Sequence, residues 1–532
     1  MMRLHRVVLI ATFAVGACTT ETITYIHDRA PFNAPPDATA GFLGYFTVST
    51  KQTTCGNCHV GHQADWATTK HADAWDDLQA SDHAVASCSG CHTVSEKGNS
   101  TGHAAGYNAV ANAGYHDVQC ESCHGAGYTH VQNPEVLANR PLASIHVDTG
   151  LANGCGGCHT GIHTPFVDQW IQSAHGSGPG YASAAANASC APCHEGKAAL
   201  LTKFGVKTNY VELSDTTHQR IVCVVCHDPH GTAGYEGQLR ASISTPTVDN
   251  LCIKCHSRTG SPPWPVATTS ASRGPHGAQG LLVIGQNVGW IPPNFTYDTS
   301  QIVSSHGTAA NPRLCATCHV AFTTVTDKAT GAFQLENVGH LFEAIPCTDV
   351  NGIPVPGTCA QAQQDFSGCV SSGCHPSRSS AVSSYNANIA TINGLLDQIW
   401  TDVNANGIID STPDTGLMPQ LVARSMRPGA TRADSLPLRF DTTVTTVAKG
   451  TLFNAALAAT DSRAYFLAGR VYGKSWAAHA SSGNGVHNPF LLQALLTASI
   501  AAVHSTYSLA PPANVDLRIR ATPPPGLKVS VR

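Results

Sequence analysis

Nine pairs of cysteines in this chain are each followed at once by a histidine. The tight form, Cys-x-x-Cys-His, occurs at Cys55-Cys58-His59, Cys88-Cys91-His92, Cys120-Cys123-His124 and Cys155-Cys158-His159. It returns at Cys190-Cys193-His194, Cys223-Cys226-His227, Cys252-Cys255-His256 and Cys315-Cys318-His319. A wider ninth version is Cys369-Cys374-His375, with four residues between the cysteines. Two thiols at this spacing add across the two vinyl groups of a haem, and the histidine after the second cysteine becomes the proximal iron ligand. Paired cysteines also bind zinc, but zinc does not require histidine at that position. With 28 histidines in 532 residues, nine chance coincidences are on the order of one in 10^11. The spacing predicts nine covalent haems, eight on tight motifs and one on the wider loop.

Motifs one to three recur as motifs four to six. Their first cysteines pair as Cys55 with Cys155, Cys88 with Cys190 and Cys120 with Cys223, at offsets of 100, 102 and 103 residues. The segment Asp65 to His71 matches Gln169 to His175, with tryptophan five residues before histidine in both. This is an internal duplication of a three-haem unit.

An iron with only its proximal histidine needs a sixth ligand if it is merely to carry electrons. Met418 and Met426 are the only methionines beyond the first two residues, so histidine must fill most sites. His71, His116 and His130 recur as His175, His218 and His230 and are the leading distal candidates. His276 and His306, each followed by glycine that permits close approach to a flat ring, and His487 complete nine. His340 is the first reserve, with His62, His83, His103 and His163 behind it; His479 and His504 read as helix-surface residues.

The remaining composition fits this picture. Only 12% of residues are charged, the net charge is −4, aromatics are 7%, and Gly and Pro number 48 and 31. No basic run points to nucleic acid. A glycine- and proline-rich chain with few aromatics must fill its interior with porphyrin, as small domains use metals and disulfides. Arg3 and Arg6 precede a short apolar run that ends at Val-Gly-Ala-Cys, so residues 1–17 read as a lipoprotein signal with Cys18 lipidated; an ordinary cleaved signal peptide is the alternative. No other stretch has some 18 consecutive apolar residues. After the haem motifs and Cys18, Cys347 and Cys359 remain, and an exported compartment favours a disulfide between them over two free thiols.

The stretches CESCHGAGYTH, CVVCHDPHG and GVHNPFLLQALLTASI resemble those of bacterial multihaem c-type cytochromes, notably exported ones of extracellular electron transfer. The resemblance covers about residues 50 to 510. It implies bis-histidine haems in a packed chain that conducts electrons to or from a partner. It also implies distal roles for histidines shortly after CxxCHG and CxxCHDP, here His130 and His230.

These readings predict a mostly irregular, loop-rich fold with short α-helices around a chain of haems. After the signal come an N-terminal linker (18–50), a multihaem domain (51–380) and a haem-free C-terminal domain (381–532). The latter reads as a helical cap, with helices over 387–403, 453–472 and 489–507. A terminal β-hairpin follows in VDLRIRATPPPGLKVSVR, either closing the domain or pairing with a second subunit. Asp402, Asn404, Asn406 and Asp410 around Gly407 have the spacing of a calcium loop, but Pro413 stands where glutamate is needed and Asp414 follows; an Asx-rich turn is the alternative. The expected function is an electron conduit of about nine bis-histidine haems, on the outer membrane or cell exterior, with other cytochromes and a metal oxide or electrode as partners. A homo-oligomer or filament is neither supported nor excluded. The rival is a multihaem enzyme acting on a nitrogen or sulfur oxyanion at one open iron; no motif replaces its proximal histidine by lysine, and histidines suffice to close every site.

Overall fold

The computed structural model describes residues 32–99, 101–143, 154–207, 216–258, 260, 272–296, 305–307, 311–371, 374–439, 444–459, 468–471, 474–477, 485–510 and 530–531. The signal segment and Cys18 lie outside these residues, as do His479 and nearly all of the expected terminal hairpin.

Up to about residue 376 the chain is a succession of loops and helices of four to nine residues. Several haem motifs form a single helical turn, such as Cys120–His124 and Cys315–His319. Residues three apart share a helix face, so one turn aims both thiols the same way. The histidine amide closes the turn on the first cysteine: His59, His159 and His227 each donate at 2.9 Å to the carbonyls of Cys55, Cys155 and Cys223.

The duplication is visible in tertiary contacts. Trp66 donates from Nε1 to the Val118 carbonyl at 2.9 Å, and Trp170 does the same to Ile221 at 2.9 Å. Each tryptophan carbonyl in turn accepts a hydroxyl three residues on, from Thr69 and Ser173. The units differ at the residue after the first cysteine of their last motif, which is Glu121 in one and Val224 in the other. The Glu121 carboxylate accepts from the amides of Leu43, Gly44 and Gly127 at 2.8 to 3.0 Å. Burial nevertheless pushes its carboxyl up to about 7. Part of the expected linker is therefore structural: Phe42, Leu43 and Tyr45 are buried, and Phe42 packs with Val94, Ala105 and Tyr115.

The long helices lie at the other end and are labelled in chain order, beginning with the short α1 (Gln279–Ile284), onto which they pack. They are α2 (Arg378–Ile399), α3 (Leu417–Met426), α4 (Val447–Ala458) and α5 (Pro489–Tyr507). Ser377 caps α2 by accepting the Ser380 amide, and Ile392, Leu395, Leu396 and Ile399 form its buried stripe. Asn488 caps α5, and Pro489 occupies its first turn. The helix α5 is apolar enough to cross a membrane by length and composition, but 67% of that window is buried inside the protein. It is the central helix of the largest core, shared with α1 through α4 and with Ile253. The helical domain is thus continuous with the chain around motif seven.

The helix expected over 387–403 runs instead over 378–399, and further details were not in the sequence reading. The expected helix over 453–472 stops at Ala458, and Ala468–Val471 is instead a strand antiparallel to Lys474–Ala477. A β-hairpin, Thr323–Thr326 with Phe333–Asn337, stands between motifs eight and nine. The final strand Ser530–Val531 pairs antiparallel with Phe295–Thr296 of the same chain. Cys347 and Cys359 form a disulfide, with Cα atoms 5.9 Å apart.

Candidate haem-binding site

A continuous cavity of ≈ 3480 Å³ is lined by all nine motif histidines. The test of fit is the spacing of facing imidazoles. Metal–nitrogen bonds of about 2.0 Å on both sides of an iron, plus about 1.1 Å from nitrogen to ring centre, set the two ring centres about 6.2 Å apart.

Six motif histidines meet this spacing with a histidine distant in sequence. His124 faces His230 at 6.2 Å, His159 faces His71 at 6.1 Å and His194 faces His276 at 5.9 Å. His227 faces His340 at 6.4 Å, His256 faces His175 at 6.2 Å and His319 faces His487 at 6.3 Å. His375 lies within electrostatic range of His306. The pairs cross the units. His71 of the first unit faces motif four, which opens the second, and its repeat partner His175 faces motif seven. Such residues fit haem.

Orientation and protonation support the fit. Several Nδ1 atoms are held by backbone carbonyls: His92 by Ala74 at 2.7 Å, His124 by Pro141 at 2.8 Å, His227 by Gly237 at 2.6 Å and His319 by Phe342 at 2.8 Å. On the facing side, His340 is held by Val338 at 2.9 Å and His306 by Val486 at 3.0 Å. A ring that donates from Nδ1 keeps the Nε2 lone pair for a metal. Burial drives His159, His175 and His340 down to about 4, and lowers His71, His124, His227, His230, His256 and His319 as well. Each of these shifts favours the neutral ring, the state iron requires.

Two expected distal histidines lie elsewhere. His116 is absent from the cavity lining; its backbone bridges Thr93, and its ring stacks on Trp75 at 4.0 Å and 14°. His218 is exposed and also outside the cavity, because the neighbouring Gln219 turns inward, its amide donating to Glu195 Oε1 at 2.7 Å. His340, the first reserve, stands opposite His227 instead. No periodicity could single it out, since it sits just past a β-hairpin 113 residues from the motif it faces. His130 lines the cavity. His59 is 6.4 Å from His62, but three-residue spacing on a helical turn produces that separation anyway and assigns no ligand. His62 in turn lies 4.5 Å from His230.

The cysteines order the motifs in space. Cysteines of different motifs lie within interaction range of one another: Cys55 with Cys120, Cys91 with Cys158, Cys155 with Cys223, Cys193 with Cys255, Cys252 with Cys315 and Cys318 with Cys369. Cys123 and Cys155, and Cys226 and Cys252, interact over a longer range. The motifs therefore run one, three, four, six, seven, eight, nine. Motif two approaches the row at four, and motif five approaches it at the equivalent place, seven.

In the Asx-rich loop, Asp402 accepts the amides of Asn406 and Gly407, and the Asn404 and Asn406 amides donate to Asp410. Asp414 is engaged by Trp400 Nε1 and the amides of Val403 and Asp410.

Residues 54–125 match the family described as cytochrome c554 and c-prime. Residues 217–261 match the doubled CXXCH motif family. No curated protein and no solved structure matches the chain.

Proposed function

We propose that this chain, a multihaem c-type cytochrome that carries electrons, conducts them along a row of seven haems, with haems two and five as side branches. The observation that carries the reading is that six motif histidines each face a histidine distant in sequence at 5.9 to 6.4 Å inside one cavity. Haems attached at neighbouring motifs would come close at their edges, so an electron would pass without a chemical step by the protein. Covalent haem supplies the redox change. The polypeptide fixes the spacing of the motifs and favours neutral imidazoles on both sides of each site. Histidine on both faces holds the potentials below those of His/Met sites. The donor and acceptor are redox proteins, with a metal oxide or electrode as terminal acceptor, and a lipid on Cys18 anchors the protein at the outer membrane. Calcium is a lesser proposal for the Asp402–Asp410 loop; calorimetry showing no uptake removes it.

A second reading, an open catalytic iron, is favoured by one specific observation. His92 is oriented by Ala74 and lines the cavity, while the distal candidate His116 is stacked on Trp75 outside it. Low-temperature electron paramagnetic resonance of the oxidised protein, with and without cyanide or nitrite, separates the two. Only low-spin signals indifferent to the probe establish the conduit with every iron closed. A high-spin signal that shifts with the probe establishes the open iron.

A further inference from the structure

The helical domain carries no haem motif, yet one of its segments reaches the last two haems of the row. Residues 485 to 488, Gly-Val-His-Asn, enter α5, and each of the four makes a separate link. The Gly485 carbonyl accepts from Asn388 Nδ2 of α2 at 2.9 Å. The Val486 carbonyl accepts from Nδ1 of His306, which lies within range of the motif-nine histidine His375. The His487 ring faces His319 of motif eight, nearly parallel to it at 5°. Asn488 is 1% exposed. Its Nδ2 donates to the Leu282 carbonyl of α1 at 3.0 Å, and its Oδ1 accepts the Leu491 amide of α5 at 3.1 Å. The start of α1 is itself tied to motif seven, since the Gly280 amide donates to the His256 carbonyl at 2.9 Å.

From this geometry we infer that the haem-free domain works as a clamp that completes haems eight and nine, and that Asn488 is its positioning residue. The inference rests on the reading that His487 binds the iron of motif eight. A histidine on a free loop loses rotamer and backbone freedom when it binds. Asn488 removes that cost beforehand, because it pins the residue next to the ligand to two helices that share one core. A buried amide whose two ends bond to two different elements fixes their relation more tightly than apolar packing does. The same segment orients His306, so release of Asn488 loosens the axial ligands of both haems together.

The test uses the full haem-loaded protein and reads spin state as well as stability. His487→Ala is expected to convert one haem's share of the low-spin signal to high spin; no conversion overturns the ligation reading itself. Asn488→Ala is expected to produce the same signal in part, with a second contribution from motif nine. Asn488→Asp keeps the cap acceptor and loses the donor to Leu282, and is expected to fall between Asn488→Ala and the unaltered protein. Leu452→Ala, a buried change in α4, serves as the control that weakens the same domain without touching the segment. If His487→Ala gives high-spin iron while Asn488→Ala lowers the melting temperature and leaves every haem low-spin, as Leu452→Ala does, Asn488 is only structural and the clamp is overturned.

Discussion

The haem row and the helical domain solve the same problem with different materials. In the helical domain, α1 to α5 bury leucine, isoleucine, alanine and phenylalanine in one cluster. Among the described residues the row has small apolar groups, such as Trp170 with Leu200 and Val225, or Phe42 with Val94 and Tyr115. Between them runs the cavity lined by cysteine and histidine. A chain that surrounds a prosthetic group needs loops and single helical turns, because the group contributes both volume and cross-links. The part without one fills its interior with the side chains of long helices, of which α4 and α5 are buried almost all round. The secondary structure of each half follows from what fills it.

The largest test of this contrast is to make the chain without haem attachment. Folding of the row is then expected to fail throughout, since its ligand spacing is folding free energy only when haem is bound. Hydrogen exchange should show amides of residues 51–250 unprotected and those of α2, α4 and α5 retaining protection. Protection of the row in haem-free protein would mean that the polypeptide folds alone. A smaller effect comes from the helical side. Leu396→Ala, at a fully buried position of α2, should cost ~2–5 kcal/mol in denaturant unfolding of that domain while the optical spectrum of haems one to six stays unchanged. The smallest test sharpens the likeness within the row. Trp66→Phe and Trp170→Phe each remove one bond from Nε1 to a carbonyl, worth ~1 kcal/mol. The two losses should agree when melting is measured on the haem-loaded protein, and unequal losses would break the equivalence of the two units.

Much of the site is written in local order. The motif Cys-x-x-Cys-His is a single turn of chain, so its thioether positions and its following histidine are settled within five residues. The duplication is legible because Trp66 and Trp170 recur at the same distance from His71 and His175. Asn488 and Pro489 announce the start of α5 for the same reason, as capping is a local hydrogen-bonding matter.

What sequence could not settle is which imidazole stands opposite which. Repetition singled out His116 and His218 along with His71 and His175, but a repeat preserves spacing and does not preserve side-chain direction. A β-bridge to Thr93 turns His116 onto Trp75, and Gln219 takes the inward position beside His218. His340 and His487 stand 113 and 168 residues from the motif histidines they face. Sequence alone located the nine Cys-Cys-His motifs, because two thiols and one histidine act within a helical turn. Only the tertiary structure decided which histidine rings face one another, because the partner of each motif histidine arrives on chain distant in sequence.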